Sequence, residues 1–521
     1  MTDPPDRQPS SRAAAEREHL RRIAVATAMG GERKLGARRA TGSLNARERV
    51  ALLVDPQSWQ ETGLFAVSHL PELRDETPAD GKVVGFGTIT GRPVGVVAYD
   101  FTVKGASSSF SSNRKVAHLR KTAREHGFPV IFLGESTGIR MPEIMGGRGM
   151  GLMSDRTRFL RLRESPWVSG VFGYAFGSAA WHACASDLTV MHKDSVMSVS
   201  SPQLVELATG QKISPKDLGG SALHAEITGF ADAVCGSDEE VLQQIRRWLA
   251  YLPSSNARPA PVAAAPVNSL LIGQDVGSLV PQEPNRSYDM AAVVKDLADP
   301  DSCLELKPLF ARNMITALAR IHGYPVGIIA NNPRRKAGAV DAAACDKAIS
   351  MIVLCDSYNI PLVHLVDQPG FLVGSDAERQ GIVGKVINWM NALSLCTVPK
   401  FAVILRKSYG QAYVNMGGAD MADELAAWST ADINFMAPGS AQSIVSRGAR
   451  DGRRAGTDLT GGDFARDSSA YELAAIYGAH DVISPGQTRG YLTTMLDLYV
   501  GRSQRSGVGQ HLLSSWPTSF R

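Results

Sequence analysis

Short apolar runs rich in β-branched residues alternate with helical stretches along most of the chain. The run from Val94 to Val97 leads into a loop of Gly, Ala and Ser, and a helical stretch from Lys115 to His126 follows. A second apolar run, from Phe128 to Leu133, comes next. Strands that alternate with helices are typical of βαβ units, and continuously apolar strands indicate a parallel sheet covered on both faces. The pattern predicts an α/β protein.

The same pattern occurs twice. The segment GRPVGVVA, at Gly91 to Ala98, recurs as GYPVGIIA at Gly323 to Ala330, a shift of 232 positions. The same shift relates Lys104 to Lys336, Lys115 to Lys347, Pro129 to Pro361 and Gly138 to Gly370. Identities held in register over about fifty residues indicate an internal duplication rather than chance.

Composition between the copies predicts where the domains end. The stretch from Tyr251 to Leu271 is rich in Pro and Ala and lacks periodicity, which is typical of a linker. We therefore expect a flexible N-terminus over residues 1–22, a first domain over 23–255, a linker over 256–280 and a second domain over 281–521. Before the first repeat, Asn45 and Glu48 have the spacing of a helix capping box.

Each copy contains a strand that ends in a turn of small residues and enters a helix. The first turn lies in GYAFGSAAW, at Gly173 to Trp181, and the second lies in AVILRKSYGQAY, at Ala402 to Tyr413. Such a turn directs backbone N–H groups from a helix N-terminus into open space, where they can stabilise a developing oxyanion. One Gly-rich turn is more often a packing feature. Its recurrence at matching points of a duplication favours two anion sites.

Charge and cysteine content exclude several classes of protein. A formal net charge of +4 over 521 residues indicates a mixed-charge surface and no nucleic-acid partner. The six cysteines form no C-x-x-C pair, which excludes a zinc ribbon and indicates a reducing, cytoplasmic location. The N-terminus lacks an apolar core, and the uncharged run from Trp167 to Ser186 is broken by glycines, so we expect no signal peptide and no membrane span.

Six segments together carry a resemblance to a known family: GSLNARERVALLVDPQSWQE, GTITGRPVGVVAYDFTVKGAS, DLGGSALHAEITGFADAV, YDMAAVV, VDQPGFLVGSDAERQGIVGKV and VPKFAVILRKSYGQAY. Over nearly its whole length the chain resembles the carboxyltransferase subunits of biotin-dependent acyl-CoA carboxylases, of the propionyl-CoA carboxylase β-subunit type. The resemblance implies two tandem crotonase-like (ClpP/crotonase) domains, with acyl-CoA on the N-terminal domain and carboxybiotin on the C-terminal domain.

The resemblance also implies roles for the two turns. The N–H groups of Gly177 and Ser178 would hold the oxygen of a thioester enolate, and those of Gln411 and Ala412 would hold the ureido oxygen of biotin. The implied substrate-binding residues are Gly138, Ala179, Gly410, Tyr413 and Val414, and the implied biotin-binding residues are Gly370, Phe371, Gln411 and Ala412. No Ser/His/Asp set, metal cluster or Walker loop occurs, and this mechanism needs no metal. His224 is interpreted as a structural histidine rather than a polar contact of the site.

The expected partners follow from what this chain lacks. It has neither an MKM biotin-acceptor site nor an ATP-grasp glycine loop, so biotin must arrive on a separate carrier protein charged by a separate biotin carboxylase. The resemblance implies a homo-oligomer, a hexamer built as a trimer of dimers. The predicted function is transfer of a carboxyl group from carboxybiotin to the α carbon of a short-chain acyl-CoA.

The sequence departs from the family pattern at both turns. The usual DSGGAR is ESTGIR, from Glu135 to Arg140, and the two usual Gly-Gly-Ala turns are Gly-Ser-Ala and Gly-Gln-Ala. An Asp common in propionyl-preferring members is Val414, and the segment from Gly146 to Pro166 is unusually basic, so we expect a different acyl pocket. Two alternatives stay open: a decarboxylase of a malonyl-type CoA thioester, and a non-catalytic assembly subunit that kept the fold.

Overall fold

The computed structural model describes residues 11–152, 161–436, 443, 467–501 and 508–517. The chain divides into two compact units. The first consists of Met1–Arg161, Ser165–His224 and Val234–Arg247, and the second of Leu162–Glu164, Ala225–Ala233 and Trp248–Arg521. The limits predicted for the domains and the linker remain predictions. The flexible N-terminus predicted over residues 1–22 overlaps an α-helix that begins at Ser11.

The first sheet contains eight strands in the described part of the chain, in the order β1-β2-β3-β4-β5-β6-β8, with β7 paired to β5. The strands are β1 (Gln60–Glu61), β2 (Lys82–Ile89), β3 (Arg92–Tyr99), β4 (Val130–Ser136), β5 (Trp167–Phe176), β6 (Leu188–His192), β7 (Val196–Ser198) and β8 (Ala233–Cys235). The strands β1, β2 and β3 pair antiparallel, whereas β3 to β6 pair parallel.

Ten α-helices accompany this sheet within the described ranges. They are α1 (Ser11–Thr27), α2 (Glu32–Ala40), α3 (Ala46–Leu53), α4 (Phe110–His126), α5 (Met141–Ile144), α6 (Gly146–Leu152), α7 (Ser178–Ala185), α8 (Pro202–Thr209), α9 (Pro215–Gly219) and α10 (Asp238–Leu249). The predicted capping box of Asn45 and Glu48 at the start of α3 is confirmed.

The second sheet repeats the layout, with eight strands in the described ranges in the order β16-β14-β13-β12-β11-β10-β9 and β15 paired to β13. The strands are β9 (Leu304–Leu306), β10 (Met314–Ile321), β11 (Tyr324–Asn331), β12 (Leu362–Gln368), β13 (Lys400–Tyr409), β14 (Glu424–Trp428), β15 (Asp432–Asn434) and β16 (Asp481–Ile483). The described helices of this part are α11 (Met290–Leu297), α12 (Ala342–Ser357), α13 (Ser375–Arg379), α14 (Ile382–Leu395), α15 (Ala412–Asn415), α16 (Ala470–Ala475) and α17 (Thr488–Leu496).

The duplication extends to the register of the strands. In both sheets the central parallel pair carries a register shift near its carboxyl end, between Gly134 and Ser136 in the first copy and between Val366 and Gln368 in the second. The predicted duplicated α/β architecture is therefore confirmed. Both faces of these strands are covered, because every residue of β4 and of β12 is buried. This explains why β4 begins with a continuous apolar run, Val130 to Leu133, and why His364 is the one polar residue between Leu362 and Val366 of β12.

In each copy, the helix that follows the long antiparallel strand pair begins earlier than the apolar pattern predicts. These helices are α4, after β2 and β3, and α12, after β10 and β11. The helix α4 begins at Phe110 because the side chain of Ser109 accepts the N–H of Ser112, and α12 begins at Ala342 because Asp341 caps it in the same way. Serine and aspartate are strong N-caps, since a side-chain oxygen satisfies one of the first free N–H groups.

None of the helices in the described ranges has the length and apolar character needed to cross a lipid bilayer.

A buried lysine ties each of these helices to its sheet. Lys115 donates to the carbonyls of Ala79 and Lys82, and Lys347 donates to those of Lys307, Phe310 and Met314 at 2.7–2.9 Å. Burial lowers the pKa of Lys115 to about 8 and that of Lys347 to about 7. The lysine that occurs in both copies is therefore a structural residue. It connects its helix to the backbone in and just before β2 or β10.

Replacing Lys347 with Met is expected to lower the free energy of unfolding by at least ~2 kcal/mol at pH 7, because three buried carbonyls lose their donor. The pKa of Lys347 is lower in the folded state, so the unfolded chain binds more protons between pH 7 and about 10. The advantage of the wild type should therefore grow as the pH rises through this window. Urea unfolding at pH 7, 8 and 9 measures both effects.

Arg334→Ala is the control, because Arg334 and its partner Asp289 are an exposed ion pair, which contributes ~0.5 kcal/mol or less. Equal midpoints for Lys347→Met and Arg334→Ala would show that the three carbonyls do not depend on Lys347.

Candidate active site

The first small-residue turn lies where β5 ends at Phe176 and α7 begins at Ser178. Gly177 between them has φ 61° and ψ −124°, a conformation that favours glycine. The N–H of Trp181 donates to the carbonyl of Gly177 and so closes the first turn of the helix. Among the described residues, no acceptor faces the N–H groups of Gly177, Ser178 or Ala179, as expected for the start of a helix.

The loop after β4 lies against this turn. A Cβ built on Gly177 would lie 3.3 Å from the Cα of Gly138, a tight contact that the absence of a side chain avoids. The N–H of Gly138 donates to Ser136 Oγ at 3.1 Å, and its carbonyl accepts the N–H of Ser108 at 2.8 Å. Both polar backbone groups of Gly138 are therefore used inside the loop. The next N–H, that of Ile139, has no acceptor in the described part of the chain.

Ile139 is thus a candidate donor that the sequence did not single out. Its side chain is exposed and apolar, which gives no signal of function. The signal that could have found it is the duplication, because Ile139 matches Phe371, a predicted biotin-binding residue, at the shift of 232.

The second turn bends at a glycine in a similar way, but it differs in one hydrogen bond, because the N–H of this glycine has an acceptor. Gly410, at the end of β13, has φ 64°, and its N–H donates to the carbonyl of Asn434 at 3.0 Å. The N–H groups of Gln411 and Ala412, the two predicted donors, have no acceptor within the described ranges. Gly410 therefore serves the bend, and the two residues after it present their N–H groups.

The loop opposite the second turn also repeats the first. Gly370 has φ 119°, its N–H donates to Gln368 Oε1, and its carbonyl accepts the N–H of Val340 at 3.0 Å. The N–H of Phe371 has no acceptor among the described residues. In each copy a polar side chain at the end of the strand, Ser136 or Gln368, holds the loop glycine in place.

Two predicted substrate-binding residues of the second turn have other surroundings. The hydroxyl of Tyr413 donates to the carbonyl of Gly478 at 3.2 Å, and burial raises the pKa of Tyr413. Val414 is half-buried on the same short helix, α15. The hydroxyl of Tyr413 is thus engaged within the protein.

The altered ESTGIR segment begins at the centre of a buried charged cluster that sequence reasoning missed. Glu135 Oε1 and Oε2 accept from Arg38 at 2.9 and 2.8 Å, and Arg49 donates to Glu135 and Asp238 at 2.8 Å each. Burial alone would raise the pKa of Glu135, but the two guanidinium groups outweigh it and hold that pKa below its ordinary value. The carboxylate anchors the strand that carries the Gly138 loop.

Two other interpretations of the sequence concern His224 and the basic segment. His224 Nε2 lies 2.7 Å from the carbonyl oxygen of Met197, and burial lowers the pKa of His224, which agrees with a structural histidine. The basic segment Gly146–Pro166 is described only in part, since residues 153–160 lie outside the described residues. The described residues contain no group of three His, Cys, Asp or Glu side chains that could hold a metal ion.

Replacing Gly177 with Ala should lower the free energy of unfolding by at least ~2 kcal/mol, because the new Cβ meets Gly138 and φ is positive. Gly210→Ala is the control for a positive φ alone, since Gly210 has φ 74° and ψ −1°, whereas Gly177 has ψ −124°, and no atom lies within 4 Å of the new Cβ. The control should lose only ~1 kcal/mol. Thermal unfolding of both variants measures the difference. Equal losses would mean that the turn and the loop do not constrain each other.

Comparison with known proteins places this geometry in a family. The model of the carboxyl transferase domain matches residues 37–511. The methylmalonyl-CoA decarboxylase subunit alpha of Veillonella parvula is 33% identical over 94% of this chain and 96% of its own. The propionyl-CoA carboxylase beta chain of Roseobacter denitrificans is 36% identical over 82% of this chain and 85% of its own.

A solved structure agrees with these relatives. The transcarboxylase 12S hexamer with hydrolysed methylmalonyl-coenzyme A bound superposes with a TM-score of 0.87, at 31% identity, and the match covers 96% of this chain and 98% of that one. The chain therefore belongs to the carboxyl transferase family, and the resemblance, the enzyme class and the tandem crotonase-like fold that its sequence predicts are confirmed.

Proposed function

We propose that the protein is the carboxyltransferase subunit of a biotin-dependent acyl-CoA carboxylase, which moves a carboxyl group from carboxybiotin to the α carbon of a short-chain acyl-CoA. One observation carries the proposal. Each copy of the fold ends its central strand in a glycine bend that leaves consecutive backbone N–H groups without an acceptor in the described chain. Two such turns match a reaction with two oxyanions.

The first turn is assigned to the thioester. Removal of the α proton of an acyl-CoA places negative charge on the thioester oxygen, and N–H groups fixed before the reaction stabilise that charge without reorganisation. Gly177 and Ser178 supply these groups, and Ile139 extends the set from the facing loop. Gly138 and Ala179 have no bulky side chain and let the carbonyl approach the backbone.

The second turn is assigned to biotin, which when bound supplies an activated carboxyl group on its ureido nitrogen. The site fits such a group, because the N–H groups of Gln411 and Ala412 are donors suited to a urea oxygen. Gly410 shapes the bend, and Gly370 and Phe371 form the facing loop. These residues position the ureido group and exclude other orientations.

The family membership supports a multi-subunit assembly with a biotin carrier and a biotin carboxylase as partners. The transcarboxylase 12S structure is a hexamer, and for this chain we propose a hexamer built as a trimer of dimers. A cytoplasmic location stays a prediction from the cysteine pattern.

A second candidate is supported by one relative. The methylmalonyl-CoA decarboxylase subunit alpha of Veillonella parvula is 33% identical to this chain. A turn that stabilises a thioester enolate does so whether carbon dioxide is added to it or removed, so the same residues serve a decarboxylase of a malonyl-type CoA thioester.

Radiolabelled bicarbonate separates the candidates. With ATP, a biotin carboxylase and a biotinylated carrier, the carboxylase fixes label into acetyl-, propionyl- or a longer acyl-CoA. Release of carbon dioxide from methylmalonyl-CoA without these additions favours the decarboxylase. If neither reaction occurs and calorimetry detects no acyl-CoA binding, the protein is a non-catalytic assembly subunit. We expect the order of preference among these acyl-CoA substrates to differ from that of a standard propionyl-CoA carboxylase, because Val414 replaces the usual Asp.

Replacing Gln411 with Pro removes one N–H from the second turn. Gln411 has φ −64°, which proline adopts, and glycine precedes it, so the fold should be kept. We expect carboxyl transfer from biotin to fall by ~100-fold or more, the usual cost of one lost oxyanion donor. Gln411→Ala is the control, because it changes the side chain and keeps the N–H. If both variants turn over at the wild-type rate, the N–H of Gln411 has no role.

A further inference from the structure

A buried chain of three polar side chains lies behind the first turn. Ser178 Oγ, at the first residue of α7, lies 2.6 Å from Ser108 Oγ, and Lys82 Nζ donates to Ser108 Oγ at 3.2 Å. The three side chains are almost fully buried, with 1% of Lys82, 1% of Ser108 and 4% of Ser178 exposed. A second branch leads from Lys82 Nζ to Ser112 Oγ at 3.0 Å.

The duplication shows that the fold does not require this chain. At the shift of 232, Lys82 corresponds to Met314 and Ser108 corresponds to Val340, both fully buried. The second copy thus builds the same strands, loop and turn around apolar side chains. Burying an ammonium group costs free energy that an apolar side chain does not. The first copy therefore bears a cost that its architecture does not need.

The hydrogen bonds have a preferred direction. An ammonium group can only donate, so Ser108 Oγ accepts from Lys82. A hydroxyl that accepts from a cation becomes a stronger donor, which favours donation from Ser108 to Ser178. The hydroxyl proton of Ser178 is then free to point elsewhere. The two hydrogen bonds thus extend the electrostatic effect of the Lys82 ammonium group to Ser178, whose N–H belongs to the first turn.

We propose that Lys82 and Ser108 are positioning residues that make the first turn more electropositive than the second. The inference rests on the proposed function, in which the N–H of Ser178 faces the thioester oxygen. The ammonium orients the Ser178 hydroxyl and adds a fixed positive charge behind the start of α7. An enolate oxygen carries more negative charge than a thioester carbonyl, so this charge favours the enolate over the bound substrate.

The double variant Lys82→Met with Ser108→Val tests the inference. Both new residues are those of the second copy, and the buried cation leaves together with its acceptor, so no unpaired charge remains. We expect kcat for the best acyl-CoA to fall ~10- to ~100-fold while KM changes less than ~3-fold, as for an interaction realised in the transition state. Ser112→Ala is the control. It removes the second branch and the hydrogen bond from the N–H of Ser109 to Ser112 Oγ, but it leaves the path from Lys82 through Ser108 to Ser178, so its kcat should stay at the wild-type value.

A cycle of variants separates positioning from a general loss of structure. Ser178→Ala keeps the N–H and the charge of Lys82 but removes the end of the chain, so it should lower kcat by no more than the double variant does. The triple variant should lose nothing more, because the three residues act through one path. Additive losses would overturn the inference, since they would mean that each residue acts separately.

An NMR measurement tests how strongly the first turn polarises a bound thioester carbonyl, without catalytic turnover. The ¹³C resonance of [1-¹³C]propionyl-CoA should move further on binding to the wild type than on binding to the double variant, because a more electropositive turn polarises the carbonyl. Equal shifts and equal kcat would overturn the inference and leave the proposed function intact. Absence of any propionyl-CoA binding or acyl-CoA turnover by the wild type would overturn the proposed function, and the inference with it.

Discussion

The two candidate sites depend on one backbone constraint: a buried strand must turn into a helix at a single residue. At Gly177 and Gly410 the chain achieves this with φ of 61° and 64°, which a residue with a side chain adopts only under strain. A more gradual turn would put the first N–H groups of the helix out of reach of the facing loop. The neighbouring glycines, Gly138 and Gly370, complete the arrangement because they let the loop approach.

Much of this could be predicted from the sequence. The duplication is visible because identities keep one register, and Gly177 and Gly410 mark the bends because their positive φ favours glycine. The parallel sheet follows from runs that are apolar on both faces. These features are local or periodic, so a single sequence contains them.

The remaining features join residues far apart in the sequence. Lys82, Ser108 and Ser178 are separated by 26 and 70 positions, and Glu135 meets Arg38 across 97. No spacing rule relates such residues, because only the packing of helices and loops on the sheet brings them together. The donor at Ile139 is hidden for another reason, since a backbone N–H has no signature in the side chain that accompanies it.

Because the two copies lie in one polypeptide, the two kinds of turn always occur in equal numbers. However many chains assemble, and however strongly the gene is expressed, the number of turns of the first kind equals the number of the second. Two separate polypeptides would need matched synthesis to reach the same balance. Each copy can also change without the other. The second copy has Met314 and Val340 where the first has Lys82 and Ser108.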